Sequence, residues 1–340
     1  MDAPQNGPPA GRLDRRALLK LAAAASLGLA GAPSMVQGRD VSQSPLAFQA
    51  PKAGDPRPQP TRFLIACNTS SYSKFPLVRA LQGIAGAGFQ YVAWGNTHLD
   101  NGAGEVPLLA VDAEIVRAKE LGQLCRDMKL TPVMLQSLVA PEQKEAVKLL
   151  THRILQAQAA GIPQVVTFGQ TRGGNRPVWI ERLKQLGPVA KDHNVTLVIR
   201  PNGGETGSGR VCGEIVREVD HPQIMVNYSA GLVLDALNID PIPDLKTCAA
   251  SVRSMSIKDH RKAPRSEDCG PGLGEIDHYK LLAHVAYTGL EIPLSCDYLF
   301  APLVPRPTKA DEIDALARRA REYLELVIAG LHAPAPENST

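Results

Sequence analysis

A chain of 340 residues, of which 44% are hydrophobic and 21% charged, can bury a full core, and its middle region contains no low-complexity tract. The formal net charge of +3 is spread along the sequence, and no run of five or six Lys or Arg residues appears, so the composition gives no indication of a nucleic-acid partner. These features predict one large domain.

The first 60 residues are predicted to be a targeting segment and a linker. Arg15 and Arg16 precede an uncharged apolar run at residues 21–32, an order that resembles a bacterial twin-arginine signal peptide. We expect export to the periplasm through the twin-arginine translocase, with membrane tethering if the signal is not cleaved. A spanning anchor is the alternative, but it needs about 20 apolar residues. Residues 1–32 are therefore assigned to the signal, and the proline-rich residues 33–60 to a disordered linker.

Six cysteines are widely spaced and include no CxxC pair, so neither a zinc knuckle nor a thioredoxin-type site is indicated. An even number in an exported chain permits disulfides, but a chain of this size folds without them. We expect buried thiols at most of the six positions, which are Cys67, Cys125, Cys212, Cys248, Cys269 and Cys296.

Apolar, strand-like runs alternate with segments of helical spacing from residue 61 to residue 332. Eight strands are predicted at residues 62–67, 90–94, 131–136, 164–168, 195–200, 223–228, 252–258 and 290–297. Eight helices are predicted at residues 74–87, 112–129, 141–160, 178–193, 208–219, 244–250, 279–287 and 311–331. This alternation requires a parallel sheet covered by helices and indicates a single (β/α)8 TIM barrel at residues 61–332. Residues 333–340 are predicted to form a flexible tail.

The active site of a TIM barrel lies at the C-terminal ends of its strands. Polar side chains follow nearly every predicted strand, and although each could simply cap the next helix, their convergence favours a site. The candidates for substrate binding are Trp94, His98, Gln170, Arg200, Asn202, Tyr228, Ser229 and Ser256.

Two further clusters follow strands. Lys258, Asp259 and His260 leave an apolar strand in succession and are candidates for proton transfer, with a salt-bridged surface turn as the alternative. The glycine-rich residues 203–209 could present backbone N–H groups to an anion or to a hydroxyl-rich ligand, or could simply form a tight turn. Their spacing matches neither nucleotide-binding glycine motif.

Six motifs occur in a fixed order: LxxIxxAGFxYV at residues 81–92, LVIxPxGGxTGxG at 197–209, VNYxxG at 226–231, IKD at 257–259, GxGxID at 272–277 and GxxxPL at 289–294. In this order they resemble the xylose isomerase-like barrel superfamily, and more narrowly the sugar phosphate isomerase/epimerase group. The resemblance covers roughly residues 62–325. It implies a divalent ion at the barrel mouth that binds adjacent sugar oxygens while carboxylates move a proton through an enediolate.

The family's metal ligands are typically a Glu ending strand five, an Asp ending strand six, a His on strand seven and a Glu ending strand eight. The corresponding residues of this chain are Arg200, Ser229, Ser256 and Asp297, and Asn202 stands where many relatives have a His. An Arg cannot be deprotonated to bind a metal and repels a divalent ion. We therefore predict that no metal cofactor occupies the usual site.

A shifted divalent-metal site built from Asp259, His260 and Asp297 remains the alternative. Without a metal, Arg200 and Lys258 suit a carboxylate or an enolate oxygen, and Asp297 or His260 could act as the base. Export favours free sugars, uronates or oxidised glycosides over sugar phosphates as substrates.

The predicted function is therefore proton transfer on a small carbohydrate by an isomerase/epimerase-like protein. A non-catalytic carbohydrate-binding protein of the same fold is the alternative. Trp94 and His98 could stack on a sugar ring, although a Trp in a barrel is more often part of the packing. A nuclease of the abasic-site kind would need a cluster of His and carboxylate zinc ligands at the strand ends, which the sequence does not supply.

Overall fold

The computed structural model describes residues 59–100, 104–170 and 172–333. The predicted signal peptide, nearly all of the predicted linker and all but the first residue of the predicted tail lie outside these ranges.

Eight parallel strands close into a barrel, which confirms the (β/α)8 fold. The strands are β1 Arg62–Asn68, β2 Tyr91–Trp94, β3 Thr131–Gln136, β4 Gln164–Phe168, β5 Thr196–Arg200, β6 Ile224–Tyr228, β7 Val252–Ile257 and β8 Glu291–Cys296. Neighbours in sequence are neighbours in the barrel, and β8 pairs with β1 from Arg62 opposite Glu291 to Cys67 opposite Cys296. All eight strands therefore direct their C-terminal ends to one mouth.

Helices cover the outside of the barrel. Within the described residues they are α1 Leu77–Gly86, α2 Ile115–Asp127, α3 Ala146–Ala160, α4 Arg176–Asp192, α5 Gly209–Val219, α6 Ala230–Leu237, α7 Pro241–Cys248, α8 His278–Ala283 and α9 Ala310–Leu331. The sequence pattern did not predict α6, which lies directly after β6. It also placed the start of α7 late, because Asp240 caps this helix and Pro241 occupies its first turn.

Two short antiparallel hairpins extend the mouth, and neither was predicted. Thr97–Asp100 pairs with Gly104–Pro107 after β2, and Asp259–Arg261 pairs with Glu267–Cys269 after β7. The predicted strand at 252–258 ends at Ile257, so Asp259 and His260 belong to the second hairpin rather than to the barrel.

Strand residues alternate between the barrel interior and the layer beneath the helices. Leu64, Ala66 and Val198 fill the interior, while Cys67 and Ile199 pack outward against the helical layer. All six cysteines are buried thiols, as expected. None of the helices within the described ranges combines the length and apolar composition that a bilayer crossing requires.

Candidate active site at the barrel mouth

The mouth of the barrel is a cleft of about 230 Å³ at the C-terminal ends of the strands. Five predicted site residues line it: Arg200, Asn202, Ser229, Lys258 and Asp297. The other lining residues are Asn68, Ser70, Asn96, Gln136, Leu232, Asp268 and Tyr298. Of these, Asn68, Asn96 and Gln136 are among the polar residues at the ends of predicted strands. We call this space the mouth cleft. Ser256 lies beneath it, in a small space that Arg200 and Asp297 also line.

Arg200 is the buried cation of the mouth cleft, with 7% of its side chain exposed. Its Cζ lies 4.4 Å from the ring centroid of Phe168, and its Nη1 donates to Oδ2 of Asp297 at 3.3 Å. Gln136, with its side-chain oxygen turned toward the guanidinium, accepts from Nη2 at 3.0 Å. Burial lowers the pKa of Arg200 and the Asp297 carboxylate opposes that shift, but a guanidinium remains charged at neutral pH. The mouth therefore contains a fixed positive charge.

Asp297 follows β8 and is held from two sides. Its Oδ1 accepts from Asn68 Nδ2 at 3.1 Å and from Ser295 Oγ at 2.5 Å, while its Oδ2 faces Arg200. About 16% of the side chain is exposed. Because Oδ1 is fixed by two neutral donors, Oδ2 is the oxygen available to exchange its contact with Arg200 for one with a ligand.

Lys258 brings a second cation to the mouth cleft. Its Nζ lies 2.5 Å from Asp268 Oδ2, and 11% of its side chain is exposed. The other oxygen of Asp268 lies 3.0 Å from Nδ1 of His260. Asp268 therefore positions both Lys258 and His260. The sequence did not indicate this role, because the hairpin that brings Asp268 opposite His260 was not predicted.

A polar network continues downward from the mouth cleft into the barrel. Arg200 Nη1 lies 3.5 Å from Ser256 Oγ, which donates to Asn227 Oδ1 at 2.9 Å. Asn227 in turn donates to Ser254 Oγ at 2.8 Å. These residues replace the apolar layer that usually fills the top of a TIM barrel, and they support Arg200 from below.

Asn202 and Ser229 also line the mouth cleft, and they differ in their hydrogen bonding. Asn202 donates to Gly169 O at 2.9 Å, which ties the loop after β5 to the loop after β4. The hydroxyl of Ser229 is buried and makes no hydrogen bond with the described residues, nor does it cap α6. The capping alternative is therefore not realised at Ser229, whereas Asn68 does cap the following turn by accepting from Ser70 N.

Four predicted substrate-binding residues are not brought to the mouth cleft. Trp94 and Tyr228 occupy outward positions of β2 and β6: Trp94 Nε1 donates to Cys125 Sγ at 3.4 Å, and the Tyr228 hydroxyl donates to Pro241 O at 2.8 Å. His98 is buried in the first hairpin with Nδ1 3.1 Å from Phe75 O. Gln170 is exposed in the loop after β4. Strand alternation and hairpin packing explain these corrections.

Asp259 has a structural role that its place beside Lys258 did not reveal. It is fully buried, and its carboxylate accepts from the backbone N–H groups of His260, Gly272, Gly274 and Ile276 at 2.8–3.1 Å. Four backbone donors leave this carboxylate committed to the loop before α8. The structure places Asp259 in this loop and not in the lining of the mouth cleft, and its part in catalysis stays a prediction.

The glycine-rich segment does not offer an anion site. Gly203 and Gly204 have positive φ values of 79° and 54°, and a Cβ at Gly204 would lie 2.4 Å from the carbonyl oxygens of Gln170 and Gly173. The first backbone N–H groups of α5 already donate to Asp244, with Gly209 N at 2.7 Å from Oδ2. The tight-turn alternative therefore describes this segment.

Three side chains at the rim of the mouth cleft could hold a metal ion. Asp235, His260 and Asp268 offer ligand atoms within 4.8 Å of one another. This grouping differs from the predicted shifted site, because His260 meets Asp235 and Asp268 rather than Asp259 and Asp297. The two carboxylates face different ring nitrogens of His260, with Asp268 at Nδ1 and Asp235 3.7 Å from Nε2. A single ion can use only one of these nitrogens, so full coordination requires rearrangement.

A family model described as a xylose isomerase-like TIM barrel matches residues 81–325. No curated protein matches the chain. Solved structures share the fold at low sequence identity. A xylose isomerase-like TIM barrel/4-hydroxyphenylpyruvate dioxygenase fusion protein is 19% identical, with a TM-score of 0.61, 82% of this chain covered and 46% of that chain covered. This chain therefore spans less than half the length of the fusion protein.

Two shorter proteins are covered almost completely. The IOLI protein, whose structure contains a zinc atom, is 15% identical with a TM-score of 0.63, covering 79% of this chain and 99% of the other. An L-ribulose 3-epimerase is 17% identical with a TM-score of 0.60 over the same shares of the two chains. At these identities the similarity establishes the fold.

Proposed function

The chain belongs to the xylose isomerase-like TIM barrel family, and from this premise we propose that it is an isomerase/epimerase-like protein that moves a proton on an acidic sugar or keto-sugar without a metal at its mouth. The observation that carries the proposal is the buried Arg200–Asp297 pair, which joins a cation and a carboxylate across the ends of β5 and β8. The substrate class of the L-ribulose 3-epimerase supports a small carbohydrate as ligand.

The residues of the mouth cleft do not fit a divalent ion that bridges sugar oxygens. The cleft contains two carboxylates, Asp297 and Asp268, among its lining residues, and each already faces a cation, Arg200 and Lys258 respectively. Hard divalent ions need several oxygen or imidazole donors free of competing cations. The guanidinium of Arg200 instead supplies the positive charge that a metal would otherwise provide.

The geometry supports a two-cation mechanism. A substrate carboxylate or carbonyl oxygen binds between Arg200 and Lys258, whose charges stabilise the negative charge that develops when a C–H bond next to the carbonyl breaks. The proton moves to Oδ2 of Asp297, and the electron pair of the C–H bond moves onto the carbonyl oxygen to give an enediolate. Isomerisation follows when the neighbouring hydroxyl proton passes to the former carbonyl oxygen and the carbon-bound proton returns to the other carbon. Epimerisation follows when solvent delivers a proton to the opposite face of the first carbon and Asp297 releases its own proton to solvent.

Asp297 is the base that the geometry favours over His260. Asp297 lines the mouth cleft, whereas His260 is 3% exposed at its side chain and lies between Asp268 and Asp235. His260 acts on the substrate only indirectly, through Asp268 and Lys258.

A non-catalytic carbohydrate-binding protein remains the second candidate, and one observation favours it. Asp297 already accepts from Asn68, Ser295 and Arg200, so both of its carboxylate oxygens are engaged by protein donors. In such a protein the same cleft binds the sugar acid and no proton moves.

We also propose that the chain is exported. The twin arginines at positions 15 and 16 with the apolar run at 21–32 support this proposal. Fractionation of cells that express the full chain tests it: we expect a periplasmic protein, and an Arg15→Lys/Arg16→Lys variant that stays in the cytoplasm.

Proton exchange tests the catalytic proposal directly. The purified full-length chain is incubated with D-glucuronate, D-galacturonate and their keto isomers in deuterated water, and loss of C–H signals is followed by NMR. We expect exchange at the carbon next to the carbonyl in the presence of a chelator, and none with Asp297→Asn. Exchange that stops on chelation would contradict the metal-free mechanism. Binding without exchange across the panel would leave the binding protein as the function.

A further inference from the structure

A second cavity of about 410 Å³ adjoins the mouth cleft. It lies between the loop that follows β3, the segment that follows the first hairpin, and α3. We call it the side chamber. Asn96 and Gln136 line both the side chamber and the mouth cleft, so the two spaces are adjacent at these two residues.

The walls of the side chamber are mainly apolar. Leu109, Leu138 and Leu149 line it, and Leu138 is 58% exposed although it is a large aliphatic residue. Exposed leucines are ordinary when scattered, but here the exposed leucine is part of a concave surface beside a candidate active site. An apolar cavity of about 150 Å³ is enough to hold benzene. The side chamber therefore has room for an aromatic ring with substituents, in addition to the sugar in the mouth cleft.

One cation also lines the side chamber. Arg153 is 8% exposed and forms no ion pair within the described ranges. Its Nη1 donates to Leu109 O at 2.9 Å and to Gln156 Oε1 at 2.8 Å, and its Nε has no partner. Burial lowers the pKa of Arg153 to about 10, with Asp112 opposing the shift, so the side chain is a cation at neutral pH. A positive charge beside apolar walls favours an electron-rich ring.

We propose that the side chamber is a subsite for an aromatic substituent carried by the sugar in the mouth cleft, so that the substrate is an aryl glycoside of a sugar acid, in which the aryl group is on the anomeric carbon and the C–H bond that breaks lies next to the carboxylate. This inference rests on the proposed function for the sugar half of the ligand. The ring lies against Leu138 and Leu149, with Arg153 over its face.

Isothermal titration of the full-length chain with three probes tests the subsite: 4-methoxyphenyl β-D-glucuronide, D-glucuronate and 4-methoxyphenol. Two variants are compared with the unmodified chain. Leu138→Asp places a charge in the side chamber, and Leu326→Asp, at a position 75% exposed on α9, is the matched control. We expect the aryl glucuronide to bind at least tenfold more tightly than glucuronate. Leu138→Asp should remove this difference, and Leu326→Asp should leave it unchanged.

The outcomes separate the subsite from the function of the mouth. Equal affinities for glucuronate and its aryl glycoside, or an affinity difference that survives Leu138→Asp, would overturn the side-chamber proposal. Binding of 4-methoxyphenol that depends on Leu138, with no binding of either sugar acid, would overturn the proposed function of the mouth and the link between the two spaces. Absence of binding for all three probes would overturn both proposals.

Discussion

Arg200 Nη1 lies 3.3 Å from Asp297 Oδ2, and the two side chains are 7% and 16% exposed. They come from barrel strands that are not neighbours, β5 and β8, and they meet across the mouth. The resemblance to the sugar isomerases places metal ligands at both positions. In the proposed function, this ion pair takes the place of a metal–carboxylate contact.

Removing Arg200 should destabilise the fold because Asp297 would remain buried without its cation. We expect Arg200→Met to lower the free energy of unfolding by about 3–5 kcal/mol, and Arg200→Met/Asp297→Leu to recover most of this loss. Urea denaturation measures both. Arg117→Met, which breaks a surface pair with Glu120, should cost about 0–1 kcal/mol. A single Arg200→Met variant as stable as the surface control would show that the pair is not buried in solution.

Lys258 should contribute to ligand affinity without contributing much to the fold. A charge-assisted hydrogen bond provides about 1.5–3 kcal/mol, so Lys258→Met should weaken binding of a sugar acid by roughly 10- to 100-fold in isothermal titration. Lys280→Met, at a lysine 72% exposed at its side chain, is the matched control and should bind normally. An unchanged affinity for Lys258→Met would place the ligand's acidic group elsewhere.

Asp259 should matter for stability. Its carboxylate holds four backbone N–H groups of the second hairpin and the loop before α8. In Asp259→Asn an amide N–H₂ faces some of these donors, and we expect a loss of about 2–4 kcal/mol in the free energy of unfolding. Asp127→Asn, on the exposed face of α2, should lose less than about 0.5 kcal/mol. Full stability of Asp259→Asn with loss of proton exchange would instead restore Asp259 to a catalytic role.

Acid should destabilise the fold through its buried histidines. Burial lowers the pKa of His98, with backbone hydrogen bonds opposing the shift, and burial lowers the pKa of His278, with Asp259 opposing it. The unfolded chain then binds more protons than the folded chain once the pH falls below the ordinary value of 6.5. The free energy of unfolding should therefore be highest above that pH and decrease from pH 7.5 to pH 5.5.

Urea denaturation at these two pH values, with His98→Gln and the surface variant His193→Gln for comparison, measures the effect. His98→Gln should reduce the pH dependence, and His193→Gln should not. A free energy of unfolding that is constant between the two pH values would contradict the assignment of neutral imidazoles to the folded state.

The strand–helix alternation was sufficient to predict the barrel, because each buried parallel strand is a short apolar run that stands out between helical segments. The same apolar character leaves the direction of individual side chains undetermined by the sequence. A strand that is apolar on both faces has no visible alternation, so the sequence did not show that Trp94 and Tyr228 point outward while Arg200 and Ser256 point inward. Residues two apart in a strand share a face, so Arg200 points inward because Val198 does. The direction of Val198 is known only from the structure.

The other differences come from loops. Asp268 and Asp235 lie 8 and 25 residues from His260 in the chain, and only the unpredicted hairpin and α6 bring them to its ring. Asp259 looked like a partner of Lys258 because they are adjacent in sequence, whereas its acceptors are occupied by backbone groups of a later loop. Loop geometry of this kind depends on tertiary packing rather than on local pattern.

Metal content of the full-length chain tests the central proposal most directly. Elemental analysis after incubation with Zn²⁺ and dialysis is compared for the unmodified chain, for His260→Gln and for Arg200→Glu/Ser229→Asp/Ser256→His, which restores the ligand types of the family. We predict about one tightly bound ion per chain in the triple variant and none in the unmodified chain. An ion that His260→Gln removes would be bound by Asp235, His260 and Asp268. A stoichiometric ion in the unmodified chain that Asp297→Asn removes and His260→Gln retains would contradict the account.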